Sequence, residues 1–276
     1  MRRAGLSLVL CILSMSLALP ASAGKVRDRV LKSGVLNVAA GAEAAPFGFV
    51  NKQKQWVGFD VDLAREIAHR LGVELKITPV KDADRVKVLR EGAADLVLAH
   101  MTHTRERDRV IDFSITYFQD GQKILAKKGR FDALKEFVGK KIAVAKGSTA
   151  IAPLKRMLKE LGAKNPANSL VVYPSEADCF QALQAGQVDG WSTDSFILQG
   201  YSAPRPGKYE MVGGFIADEP YGIGLPQGDA AWRDTINFTL QDMWLDGTFH
   251  EIYERWFGPN SWTYFPMLFR MEVWPR

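Results

Sequence analysis

Apolar residues in this chain fall in short runs that switch between two spacings, and the switching predicts alternating strands and helices. Val35 to Ala40 reads as a strand, followed by a loop from Gly41 to Pro46. Leu63, Ile67 and Leu71 then recur every four residues along one helical face, with Asp60 as the expected N-cap and Gly72 as the stop. Val73, Leu75 and Ile77 alternate as a strand before Pro79, a short helix around Val86 and Leu89 ends at Gly92, and Leu96 to Leu98 is a buried strand. Strands and helices joined by short connections predict a mostly parallel sheet.

A second unit of the same order follows. Ile142 to Ala145 is a strand, Lys146 to Thr149 a tight loop, and Leu154, Met157, Leu158 and Leu161 mark a helix that ends at Gly162. Leu170 to Tyr173 is the next strand. Ser175 and Asp178 form a capping box before a helix with Phe180 and Leu183, and Val188 to Trp191 leads to Asp194. Tyr117 to Lys128 is expected to connect the two units, and Trp232 to Phe257 to be helical.

The N-terminus adds a destination. Arg2 and Arg3 precede an apolar run from Leu6 to Leu19 and the small-residue site Ala21-Ser22-Ala23, the pattern of a secretory signal cleaved after Ala23. No later segment has the ~18 uninterrupted apolar residues of a membrane span. Cleavage would leave Cys179 alone, which excludes an intramolecular disulfide. The formal charge of +5 is spread among acids rather than gathered in a basic block, so nucleic acid is not an expected partner.

The chemistry concentrates just past the strand at Leu96. Arg107 carries a planar five-donor fork suited to a carboxylate, with Thr102 and Thr104 upstream; its alternative is a solvated turn, since Arg105, Arg107 and Arg109 alternate with Glu106 and Asp108. Gly147-Ser148-Thr149 stands between a strand and a helix start, where backbone N–H groups can receive an anion or Ser148 and Thr149 can simply cap the helix. Asp194 can accept from an ammonium or cap the helix Ser195 to Tyr201. His100 and His103 lack the further ligands a zinc centre needs, and no nucleophile elbow, HExxH or dinucleotide fingerprint occurs, so neither metal nor cofactor is expected.

Several of these pieces stand in the order and spacing of one family. Gly58-Phe59-Asp60-Val61-Asp62-Leu63-Ala64, Ala45-Pro46-Phe47-Gly48-Phe49, Thr102 to Arg107, Asp112-Phe113-Ser114, Lys146 to Thr149, Asp189 with Asp194, and Glu219-Pro220-Tyr221-Gly222 are the matches. From about Val35 to Phe257 the chain resembles the bacterial extracellular solute-binding proteins of family 3, which deliver polar amino acids to ABC importers, and within them the glutamate/aspartate branch.

The resemblance implies the type II periplasmic-binding-protein fold: two α/β lobes joined by two hinge crossings, with residues 24–118 and 220–276 in lobe 1, 119–219 in lobe 2, and 1–23 as the signal peptide. It implies a periplasmic monomer that captures a free amino acid, has no catalytic residues, and passes its ligand to an inner-membrane ABC permease. Arg107 would clamp the α-carboxylate, helped by backbone N–H groups at Thr102 and Thr149 in the Ser148 loop. Asp194, the Thr102 hydroxyl and the His100 carbonyl would meet the α-ammonium. Arg85 matches an arginine that meets side-chain carboxylates in acidic-ligand relatives, which makes an acidic amino acid the expected ligand. Ala44, Asp82, His100 and His103 depart from the family pattern. An exported dehydratase of the cyclohexadienyl or arogenate type on the same fold is the alternative, with Glu43 and His103 as its nearby proton donors.

Overall fold

Helix α1 (Lys25–Ser33) precedes β1 (Val35–Gly41) and a small antiparallel sheet of β2 (Glu43–Ala44), β3 (Gly48–Val50) and β4 (Trp56–Val57). Next come α2 (Phe59–Leu71), β5 (Glu74–Val80), α3 (Arg85–Arg90), β6 (Leu96–Leu98) and the long strand β7 (Asp112–Lys127). The second unit contains β8 (Ile142–Ala145), α4 (Ile151–Glu160), β9 (Leu170–Tyr173), α5 (Glu176–Ala185), β10 (Gly190–Asp194), α6 (Ser195–Ser202) and β11 (Tyr209–Val212). β12 (Asp218–Leu225), α7 (Ala230–Leu245) and α8 (Thr248–Phe257) follow. The computed structural model describes residues 25–275, so the expected signal at residues 1–23 lies outside the described residues. Among those residues no helix is long and apolar enough to cross a membrane.

The main sheet runs β5-β1-β6-β12-β7-β10-β8-β9, with β11 also paired to β7. β1 is parallel to β5 and β6, and β8 is parallel to β9 and β10, as the βαβ spacing predicts. The sheet is mixed rather than mostly parallel, however, because β7 and β12 make antiparallel pairs at its centre. β5 is an edge strand, which is why Pro79 can sit within it. The two α/β halves share β7. Its first part pairs with β12, with Glu219 opposite Asp120, and its last part is held between β10 and β11.

Two local expectations change. Tyr117 to Lys128, expected as a connection, lies almost wholly inside β7, because its partners β10, β11 and β12 arrive from far along the chain and satisfy its backbone. Asp60 does not cap α2. Gly58 holds the cap position at φ 135°, and the fully buried Asp60 carboxylate instead accepts from His100 N–H at 2.7 Å and Tyr117 OH at 2.9 Å. Ser175 does cap α5, accepting from Asp178 N–H.

A cluster of rings ties the halves together where β7 passes between them. Phe118 lies 5.0 Å from Phe47 and 5.3 Å from Phe196 in α6, both edge-on. Such pairs add roughly 0.5–1.5 kcal/mol beyond their buried area. This apolar floor fixes how the polar residues above it face one another.

Candidate functional site

β6 ends and its polar continuation enters the junction between the halves, as ligand sites do in open α/β sheets. Asp60 pins the His100 backbone there, and His100 adopts φ 40°, a left-handed conformation uncommon outside glycine. Thr102 is bridged to Tyr221 of β12. Arg107 then folds back across the junction. Its Nη1 donates to Thr102 O at 2.8 Å and its Nη2 to Gly147 O at 3.0 Å. Burial and the like charge of Arg85 push Arg107 down to about 10, so it stays cationic at neutral pH.

Glu219, at the start of β12, joins the two expected threonines. Its carboxylate accepts from Thr102 Oγ1 at 2.5 Å and from Thr149 Oγ1 at 2.9 Å. Ser148 is turned to its own loop, where Oγ accepts from Ala150 N–H. Asp194 stands at the start of α6 but makes no side-chain cap; it accepts from Tyr221 OH at 2.6 Å. Asp120 takes the capping role, accepting from Phe196 N–H and Ser195 Oγ. Burial, with the negative charges of Glu219 and Asp120, raises Asp194 well above the usual carboxylate range. Burial likewise raises Glu219 and Asp120. Three buried carboxyls held together in this way favour an arriving cation.

Thr102, Arg107, Thr149 and Asp194 therefore converge around Glu219 and Tyr221. Arg85 is buried but points elsewhere: its Nη1 donates to Ala99 O at 2.8 Å and lies 3.5 Å from Asp82 Oδ1. His103 stacks on Phe113 at 4.3 Å and pairs with Asp108, away from His100. Sequence reasoning assigned no role to Glu219, Tyr221, Asp120 or Glu176. The one local signal was an acid inside an otherwise apolar strand, as in Glu219-Pro220-Tyr221.

Beside this cluster lies a cavity of about 520 Å³, within the usual ligand-site range of about 300–1,000 Å³. It is bounded by the Gly41–Ala44 loop, the Asp82 turn, His100 and the start of α5 at Glu176. Of the expected site residues, His100 alone lines it. The halves meet around it, with Tyr201 OH of α6 donating to Glu43 O at 2.7 Å.

The sequence profile of the bacterial extracellular solute-binding proteins, family 3, matches residues 36–259. An ABC transporter glutamine-binding protein from Bacillus subtilis is 37% identical over 76% of this chain and 76% of its own length. A glutamate/aspartate import solute-binding protein from Salmonella typhimurium is 25% identical over 86% of this chain and 80% of its own. Among solved structures, an ancestral arginine-binding protein bound to arginine superposes with a TM-score of 0.75 at 38% identity, covering 82% of this chain and 99% of the other.

Proposed function

The chain belongs to the bacterial extracellular solute-binding proteins of family 3 and is an amino-acid-binding component of an ABC transporter; from that premise we propose how its residues hold the ligand. Arg107 takes the α-carboxylate, with the Thr102 and Thr149 backbones beside it. Asp194, backed by Glu219, takes the α-ammonium together with the Thr102 hydroxyl and the His100 carbonyl. The observation that carries this reading is the release of Asp194 from helix capping by Asp120, which leaves a buried carboxylate acting electrostatically on Arg107. A zwitterion is held well only where both of its buried charges are met.

We place the lobe boundaries near residues 118–119 and 219–220, where β7 and β12 run side by side from one half to the other. Residues 24–118 and 220–276 then form one lobe and 119–219 the other, and the ligand acts as the bridge that favours closure. Action in the periplasm as a monomer completes the reading.

For the ligand side chain, the relatives named above bind glutamine, glutamate or aspartate, and arginine by their own descriptions. The acidic expectation rested on Arg85, whose guanidinium serves backbone carbonyls rather than the cavity. A polar amino acid is the reading kept here. Of the two donors the dehydratase alternative would use, Glu43 stands at the cavity rim and His103 faces Asp108, away from it. A thermal-shift screen of the twenty amino acids tests the assignment, because a ligand at ~100 times its Kd adds about 2.7 kcal/mol of stability. The absence of a shift with every amino acid would falsify it.

A further inference from the structure

The cavity beside the head-group residues has an inner wall with an unusual balance. Asp82 and Glu176 face it from opposite halves, and His100 closes its end. Glu176 is 6% exposed; its Oε1 accepts from Thr193 Oγ1 at 2.8 Å and its Oε2 from Trp191 Nε1 at 3.0 Å. Each oxygen is thus fixed by a neutral donor, and among the described residues no cation stands within ion-pair distance of it. Asp82 does have a cation near, Arg85 Nη1 at 3.5 Å, and the His100 ring Nε2 lies at the same distance. His100 is 5% exposed, and neither ring nitrogen makes a hydrogen bond of good geometry. At the rim, Glu43, Asp84 and Glu91 outnumber Lys81 and Lys87.

A buried carboxyl with no ion-pair partner and a buried imidazole with unsatisfied nitrogens both carry a cost that a ligand can relieve. A carboxylate side chain would instead be set against the two carboxyls of the wall. We infer that the cavity receives the side chain of the bound amino acid and that Asp82, Glu176 and His100 select a cationic one, guanidinium or ammonium, over an acidic one. The inference rests on the amino-acid-binding reading above and deepens it. Asp82 supplies the charge, Glu176 a second carboxyl that can accept from the arriving cation, and His100 a ring nitrogen that accepts an N–H in its neutral form.

Calorimetric titration with arginine, lysine, glutamine and glutamate tests it on the wild type, Glu176→Gln, Asp82→Asn and Arg107→Ala. Arginine or lysine should bind the wild type at least about tenfold more tightly than glutamate, and Glu176→Gln and Asp82→Asn should each weaken cationic ligands about tenfold or more, as loss of a charged hydrogen bond requires. Glutamine should lose much less in both variants. Melting curves confirm that the isosteric amides leave the fold in place. If glutamate binds the wild type most tightly while Arg107→Ala still abolishes binding, the inference falls and the amino-acid reading stands. Unchanged arginine affinity in both amide variants overturns it equally. If no amino acid binds, both readings fall together.

Discussion

Asp120 caps the helix that Asp194 begins. The Asp120 carboxylate accepts from Phe196 N–H at 3.1 Å, Gly121 N–H at 2.6 Å and Tyr221 OH at 3.2 Å, while Asp194 keeps one partner, Tyr221 OH, at 2.6 Å. Asp120 thereby carries the structural role and leaves Asp194 free of helix capping.

Asp120→Ala should therefore damage stability first. It removes a helix cap and strands buried donors, so a loss of about 1–3 kcal/mol is expected in denaturant melts. Asp120→Asn, which can still accept from Phe196 N–H, should recover part of that loss. Equal melts for both variants and the wild type would remove Asp120 from this role.

Arg107→Ala should remove binding of every amino acid that the wild type takes. Deleting one partner of a buried charge pair costs roughly 3–5 kcal/mol, or two to three orders of magnitude and more in Kd. The fold should persist, because Arg107 donates to two backbone carbonyls, Thr102 O and Gly147 O, rather than to core side chains. Titration of the variant with the tightest wild-type ligand is the measurement.

Gly147→Ala should oppose closure. Gly147 lies at φ 84°, and a Cβ there would sit 2.6 Å from Ala83 Cα on the other side of the junction. Backbone cannot yield as a flexible side chain can, so the variant should bind more weakly and contract less on ligand addition. Small-angle scattering reads this directly: the wild type should show a smaller radius of gyration with ligand, and the variant a smaller change. A wild-type radius unaffected by saturating ligand would count against lobe closure.

Glu176 gives stability a pH signature. Burial and the charge of Asp82 push it up to about 8, against the opposing hydrogen bonds of Thr193 and Trp191 and the positive charge of Arg85. Asp178, Cys179 and Tyr201 are the other titratable neighbours on the surrounding helices. An unfolded glutamic acid titrates near 4.3, roughly, so the folded protein holds this proton more tightly. The resulting stability is complete below the unfolded value and is lost as pH rises through about 8. Glu176→Gln should thus gain in melting temperature relative to wild type as pH rises from about 5 to about 8. A difference that stays flat across that range would contradict the shift.

Local pattern determined much of this protein by itself. The spacing of Leu63, Ile67 and Leu71, the Ser175 cap and the parallel pairing of β1 with β6 and of β8 with β10 all follow from interactions within a few residues or from short-connection topology, which a sequence displays directly. The chemistry of Arg107, Thr102 and Asp194 was equally visible, because a fixed fork, a hydroxyl and a carboxylate keep their character wherever they sit. Direction was not visible. Whether Arg85 faces the cavity or the carbonyl of Ala99, whether Asp60 caps a helix or pins His100, and whether Asp120 or Asp194 caps α6 depend on tertiary partners: Ala99 and His100 just past β6, and Asp120 on β7, which pairs with β12. Those strands pair residues about a hundred positions apart. A side chain's hydrogen bonds are decided by which acceptor lies nearest once such pairings form, and that distance exists only in the tertiary structure.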